Sequence, residues 1–293
     1  MKNMRLPLYI AAGVFLITLI LGSFFDYQIS SAIADKTNTF GLIISVIGPT
    51  IGFGGFAFVG GAYIALAIKQ EHKLWLKICF FVLAALSYGI MIYYAGREYF
   101  GVNGFDNSSL NFAGFIIAAV AGIGCEIAGY FVFKDCQNPR AWIALIFVYV
   151  ILLFVLVIGI NGLKSIMNRP RFRTVSQGNV NYYDWWEKCV YYQNYMDKYG
   201  IAREEFKSFP SGHTAEASVL IAASVFAPLA HNKLAKIQLP LFIGSCVFVA
   251  LVGFARILVG AHYLSDISMG ALLMIILTVI ANEIAIHIKK LHE

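Results

Sequence analysis

The sequence predicts an all-α fold: a polytopic membrane helix bundle of about eight transmembrane helices. Three observations carry this. Hydrophobic residues make up 59% of the 293 positions, charged residues only 13%, and the mean hydropathy is +0.73; a soluble domain carries about a quarter charged residues. Apolar runs of about 20 residues, enough to cross a bilayer as a helix, recur along the chain. The short alternating strands of a membrane β-barrel are absent from the pattern. In lipid the backbone must satisfy its own hydrogen bonds, and a helix does so within each span.

Taken in order, the first span is 6–25, preceded by Lys2 and Arg5. The small residues Ala32-Ile33-Ala34 lie too far beyond it to be a signal-peptide cleavage site, so it reads as a retained helix. Residues 26–39 are mildly amphipathic and are expected at the interface. The second span lies within 40–68, with Pro49 expected to kink or start it. Its Gly52, Gly54, Gly55, Gly60 and Gly61 allow close helix contacts. Further spans are expected at 74–95, 110–133, 141–160, 214–230, 238–259 and 263–288. No repeat or linker interrupts them. The chain reads as one integral membrane domain over 1–293, with early spans in 1–140 and a motif-bearing core in 141–288 that includes an outer loop, 161–213.

Eight spans put both termini on one side. Eleven of the 22 basic residues fall on that side, Lys2, Arg5, Lys289 and Lys290 among them. The first two opposite loops carry only Lys36 and Arg97. Cytoplasmic termini follow from the positive-inside rule. The other nine basic residues all fall on the outer side, in the long loop or beside the last turn, and need a local reason such as anion binding. Scattered charges at a net of +6 argue against nucleic acid. Cys79, Cys125, Cys136, Cys189 and Cys246 form no CxxC pair, so neither a disulfide framework nor a metal site is indicated, and packing is their expected role.

Three polar stretches end up on the outer face. The chain is organised around Ser208-Phe209-Pro210-Ser211-Gly212-His213-Thr214, a turn-forming cluster directly before an apolar run. It reads as a helix start capped by Ser211 or Thr214. Its free N–H groups and positive dipole end suit a phosphate-like anion, and Gly212 lets that anion approach the backbone. The second stretch, 164–172, carries Lys164, Arg169 and Arg171. The third places Arg256, His262 and Asp266 as R-x5-H-x3-D. Permanent cations at Lys164, Arg171 and Arg256 suit phosphoryl oxygens and the charge that spreads in their transition state. A carboxylate four residues after His262 shares its face in a helix. It can fix the imidazole tautomer and leave the other nitrogen free to attack. His213 beside the anion can protonate a leaving oxygen and later activate water. Taken singly, a basic run after a span also suits a headgroup anchor, and His262 with Asp266 also suits a capped helix start. Pro210-Ser211-Gly212-His213 and the R-x5-H-x3-D pattern, in chain order and on one predicted face, together favour a site.

The constellation resembles the type 2 phosphatidic acid phosphatase (PAP2) superfamily, whose motifs are K-x6-RP, PSGH and SR-x5-H-x3-D. The resemblance covers Lys164 to Asp266. The second motif is complete; Phe172 stands where the family has proline, and Ala255 where it has serine. Arg169-Pro170 is an RP pair two residues early, so Arg171 is the aligned arginine. The resemblance implies packed helices and a metal-free phosphatase, without cofactor, passing through a phosphohistidine. By position, His262 is nucleophile, His213 acid–base and Asp266 orienter, while Lys164, Arg171, Ser211, Gly212 and Arg256 bind phosphate. Membrane relatives usually have six spans, so the first two, or another early pair, look like an addition.

The outer loop from 174 to 207 is dense in aromatics, including Tyr182, Tyr183, Trp185 and Trp186. Such density suits the lipid–water boundary, as a roof that meets a lipid substrate or as a lid packed on the helix ends. Lys77, near a span end, can snorkel, whereas Glu126 inside a span is either a packed, hydrogen-bonded group or part of a proton path. The expected activity is hydrolysis of a lipid phosphate or diphosphate monoester, such as phosphatidic acid, phosphatidylglycerol phosphate or a polyprenyl diphosphate. The expected partners are that substrate and membrane lipids. The alternatives are phosphotransfer to a lipid or sugar hydroxyl at the same site, or a transporter-like protein that merely retains it.

Overall fold

The computed structural model describes residues 4–69, 72–101, 108–136, 142, 158–230 and 232–290, and all regular structure among them is helical. Four long helices come first: α1 (Arg5–Ile33), α2 (Thr39–Ile68), α3 (Leu74–Gly101) and α4 (Ser108–Phe133). Short elements follow: α5 (Ile160–Met167), α6 (Phe172–Val175), α7 (Tyr192–Tyr199) and a 3-10 turn at Arg203–Phe206. Then come α8 (Gly212–Ala217), α9 (Val219–Ala230), α10 (Asn232–Lys236), α11 (Gln238–Leu258) and α12 (Leu264–Lys290).

Six of these, α1 to α4, α11 and α12, are long and apolar enough to cross a membrane. Most of the span expected at 141–160 lies outside the described residues. The span expected at 214–230 is two helices, α8 and α9, parted at Ser218. The Ser218 hydroxyl donates to Thr214 O at 2.7 Å, a back-bond that disturbs a helix.

Two sequence expectations change. Residues 26–33 are not a separate interfacial segment but the last turns of α1, and Asp26 within them is buried. A continuous ladder of backbone bonds carries α1 to Ile33, where Ala34 N still donates to Ser30 O at 2.9 Å. Pro49 does not start α2: the helix begins at Thr39, where Asn38 Oδ1 accepts from Gly41 N at 2.8 Å, and passes through the proline.

The helix α2 is central. Buried residues fill 56% of its apolar window, against 17% for α4. On one side it packs with α3 and α4; on the other it meets α8 and α11. Gly52, Gly54, Gly60 and Gly61 make the close contacts expected of them. A Cβ on Gly61 would stand 1.9 Å from Glu126 O, so α2 and α4 touch backbone to backbone. Glu126 is half-buried in this seam, with Oε1 beside Gly60. The pair α3 and α4 therefore stands on the far side of α2 from the motif helices, while α1 packs along α12. At one end of that contact Arg5 Nε donates to Glu283 Oε1 at 2.7 Å, and midway Ser268 Oγ donates to Thr18 Oγ1 at 2.8 Å. Cys136 and Cys189 are buried as packing residues, and Cys79 is exposed.

The Gly61 contact leaves no room for a side chain. Gly61→Leu is expected to cost about 1–3 kcal/mol through overpacking and to lower the thermal transition in detergent, with Gly13→Leu, where nothing lies within 4 Å, as the tolerated comparison.

Candidate functional site

The chain brings its polar stretches together at the ends of α5, α8, α11 and α12. Ser211 is the N-cap of α8, its Oγ accepting from Thr214 N at 3.4 Å; of the two expected caps it is the one used. Ser211 N donates to Asp266 O at 2.9 Å, which ties this turn to the start of α12. A Cβ on Gly212 would sit 3.2 Å from Lys164 Nζ, so the bare glycine is what lets the ammonium lie against the helix start. The same point is 3.3 Å from Glu216 Oε1, a buried carboxylate that the sequence patterns did not mark.

His213 and His262 face one another with ring centroids 6.5 Å apart, and both are buried. His262 is not on a helix, as its spacing from Asp266 suggested. It lies on the turn between α11 and α12, where Ala261 N and His262 N fold back onto Arg256 O at 3.0 and 3.2 Å. The contact with Asp266 forms nonetheless, His262 Nδ1 standing 3.6 Å from Oδ2. That is an ion-pair distance, longer than a hydrogen bond. Asp266 does both things its spacing allowed. It approaches His262, and it caps its own helix, Oδ2 accepting from Tyr263 N at 2.9 Å.

The cations take two different places. Arg256 and Lys164 act on the charge of both imidazoles, and Arg171 on that of His213. His213 is held well below its ordinary value by burial first, then by the charges of Arg256, His262, Lys164 and Arg171. His262 is pushed down to about 3, again by burial first; Arg256 and Lys164 add to this, while Asp266 works the other way. Both rings are therefore neutral at pH 7. Arg171 donates its backbone N–H to Glu205 O at 2.8 Å, and Arg173 Nε donates to Glu205 Oε2 at 2.9 Å. Burial tends to raise the Glu205 carboxyl, but that hydrogen bond and the charges of Arg171 and Arg173 bring it down to about 2. Phe172, in place of proline, is the first residue of α6, a position where proline is at home. Its ring packs edge-on against Tyr27 and Tyr263 instead.

Arg169 points elsewhere. It is fully buried, and its guanidinium meets Asp266 Oδ1 at 2.6 Å and Asp26 Oδ2 at 2.9 Å. It also lies 4.2 Å from the centroid of Tyr263, over the ring face. Burial opposes its charge, but Asp266 and Asp26 raise its affinity for the proton above the ordinary arginine value. Ser208 Oγ donates to Asp266 Oδ2 at 2.5 Å. Asp26, Ser208 and Ser265 were not marked by any spacing rule. The only hint was a charged residue, Asp26, at the end of an apolar run, where it is costly unless partnered.

The aromatic loop is a packed lid on these helix ends. Trp185 stacks on Phe209 at 5.5 Å and donates Nε1–H to Ser23 Oγ at 2.9 Å, and Tyr182 packs edge-on against Tyr27 and Tyr263. Trp186, Val190 and Tyr191 stay exposed. A cavity of about 670 Å³ is lined by Lys36, Thr37, Arg173, Gln177 and Glu205 among others; neither histidine lines it.

Membrane-length helices with two buried imidazoles among cations at the bundle end define the class: a helical membrane protein with a polar, charged site at its helix ends. Residues 143–286 match the family model described as the PAP2 superfamily, and through this stretch the chain belongs to that superfamily. Membership implies phosphatase-type activity on phosphate esters. No curated protein and no solved structure gives a significant match.

Burial, with the charges of Arg256, Lys164 and Arg171, holds His213 neutral; a bound phosphate offsets those charges and raises its proton affinity. Binding of inorganic phosphate near pH 6.5 is therefore expected to take up protons. Calorimetry in buffers of different ionisation enthalpy checks this, and His213→Gln should abolish the uptake.

Proposed function

We propose that the protein is a membrane phosphatase that hydrolyses a lipid phosphate or diphosphate monoester through a phosphohistidine. The observation that carries this is the imidazole pair, 6.5 Å apart and buried among Lys164, Arg171 and Arg256. A phosphoryl group between the rings would have a nitrogen on one side, a proton donor on the other and cations around its equatorial oxygens.

In this reading Lys164, Arg171 and Arg256, with Ser211 and the N–H of Gly212, bind the phosphoryl oxygens. They also stabilise the charge that spreads over them in the transition state. Asp266 accepts the Nδ1–H of His262, and the 3.6 Å separation closes as substrate draws the ring into line. The Nε2 lone pair attacks phosphorus. The bond from phosphorus to the leaving oxygen breaks, and His213 gives that oxygen its proton. Water then attacks the phosphohistidine, His213 takes a proton from it, and the P–N bond breaks to release phosphate and neutral His262. Neutral imidazoles before binding suit the nucleophile directly. His213 gains its proton as the phosphate charge arrives.

A lipid substrate is supported by the setting: the site lies where membrane-length helices end, under an aromatic lid with exposed Trp186 and Tyr191. The distribution of basic residues supports cytoplasmic termini and a site entered from the outer leaflet.

The test is phosphate release from phosphatidic acid, phosphatidylglycerol phosphate and a polyprenyl diphosphate by purified protein. His262→Ala is expected to lower kcat by at least about 10³-fold, and His213→Ala by about 10²–10⁴-fold. Equal release by parent and both variants would rule the reading out. Label passing to an added alcohol instead of water would identify a transferase.

A further inference from the structure

Asp26 lies on α1, outside the stretch that matches the family, 143 residues before Arg169. In the fold it is 1% exposed and shares a guanidinium with Asp266. Oδ1 accepts from Ser265 N at 2.9 Å, and Oδ2 accepts from Ser265 Oγ and from Arg169 Nη2. The guanidinium is fully used. Nε donates to Tyr183 O at 2.9 Å, Nη1 to Asp266 Oδ1 at 2.6 Å and Ser265 Oγ at 2.8 Å, and Nη2 to Asp26 Oδ2 at 2.9 Å and Tyr182 OH at 3.2 Å. These are all five of its N–H donors. A guanidinium is planar and rigid, so fixing one edge aims the other. Its other edge holds Oδ1 of Asp266. Oδ2 is then left for Ser208 Oγ, Tyr263 N and, at 3.6 Å, His262 Nδ1.

We infer that Asp26 is a positioning residue for this site: it holds Arg169, Arg169 holds Asp266, and Asp266 is thereby aimed at Nδ1 of His262. The inference rests on the phosphohistidine reading above. It makes the first membrane helix part of the machinery rather than an addition to it. It also divides the basic run after α5. Lys164 and Arg171 serve the anion, while Arg169, between them, faces away from it and serves the carboxylate. Asp26 meets no substrate position in this scheme, so its loss falls on kcat and spares KM.

The experiment measures steady-state phosphate release from dioleoyl phosphatidic acid in detergent micelles. Asp26→Asn keeps the shape and removes the charge. It is expected to lower kcat by about 10- to 100-fold, the scale of a small misplacement of a reacting group, with KM within about twofold of the parent. In an Asp266→Asn background the same change is expected to add less than about twofold, because the effect passes through Asp266. An equal factor in both backgrounds would show a general structural role and overturn the inference. A second arm needs no turnover. Nitrogen-15 histidine NMR, with His262 assigned by His262→Gln, is expected to show the Nδ1–H tautomer in the parent and a mixture in Asp26→Asn; an unchanged tautomer overturns the relay. If the parent releases no phosphate, the hydrolase reading fails and the NMR arm still decides the positioning. Should Asp26→Asn not fold, Tyr182→Phe removes the other acceptor of the same nitrogen. A shifted tautomer there supports the relay, and an unchanged one overturns it.

Discussion

A guanidinium with no exposed surface, set between membrane helices, constrains everything around it. Taking such an ion out of water carries a penalty of several kcal/mol, tolerable only where charge and hydrogen bonds meet it on every side. Arg169 meets that condition with two carboxylates, two hydroxyls and a backbone carbonyl, contributed by α1, α12 and the outer loop. No one of these segments can satisfy it alone. The requirement therefore fixes how α1 lies on α12 and where the loop crosses them, and so where Asp266 points. A buried ion network of this kind is poor evidence of added stability, but it does select one arrangement over others.

Around that anchor the site sorts its charges by role. Asp266 and, beyond it, Asp26 lie behind His262, while Arg256, Lys164 and Arg171 bear on His213, with the Glu216 carboxylate beside Lys164. The two imidazoles are kept neutral by burial and by the cations they face. A phosphate would offset the charges of the cations that bear on His213. Charge offset and hydrogen bonding together give such an anion a reason to enter a place that excludes water.

Much of this was legible in one dimension. The membrane class follows from hydropathy, because a helix must be about 20 apolar residues long to cross. His213, His262 and Asp266 follow from spacing, since the groups that meet at one spot lie beside turns of recognisable composition. The glycines of α2 were legible too, because close backbone approach excludes every other residue. Less legible were the partners of Arg169. Its neighbour Arg171 fitted the motif spacing, and nothing local says that two arginines two residues apart turn to opposite sides. Asp26 looked like the end of a span because its partner is far away in the chain. The break at Ser218 was hidden inside an apolar run, since hydropathy does not register a hydroxyl bonded back to its own helix.

By itself, then, the sequence determined the solvent in which this protein folds, the helical character of its spans and the residue types of a phosphate-ester site, because each is written in local composition and spacing. Tertiary structure alone decided which arginine pairs with the carboxylates of Asp26 and Asp266. It also placed His262 on a turn before its helix, and made the first helix, not an outlying pair, the neighbour of the site. The physical reason is that burial of charge is settled between segments. A side chain's neighbours, and hence its charge state and direction, come from parts of the chain that its own surroundings in sequence do not contain.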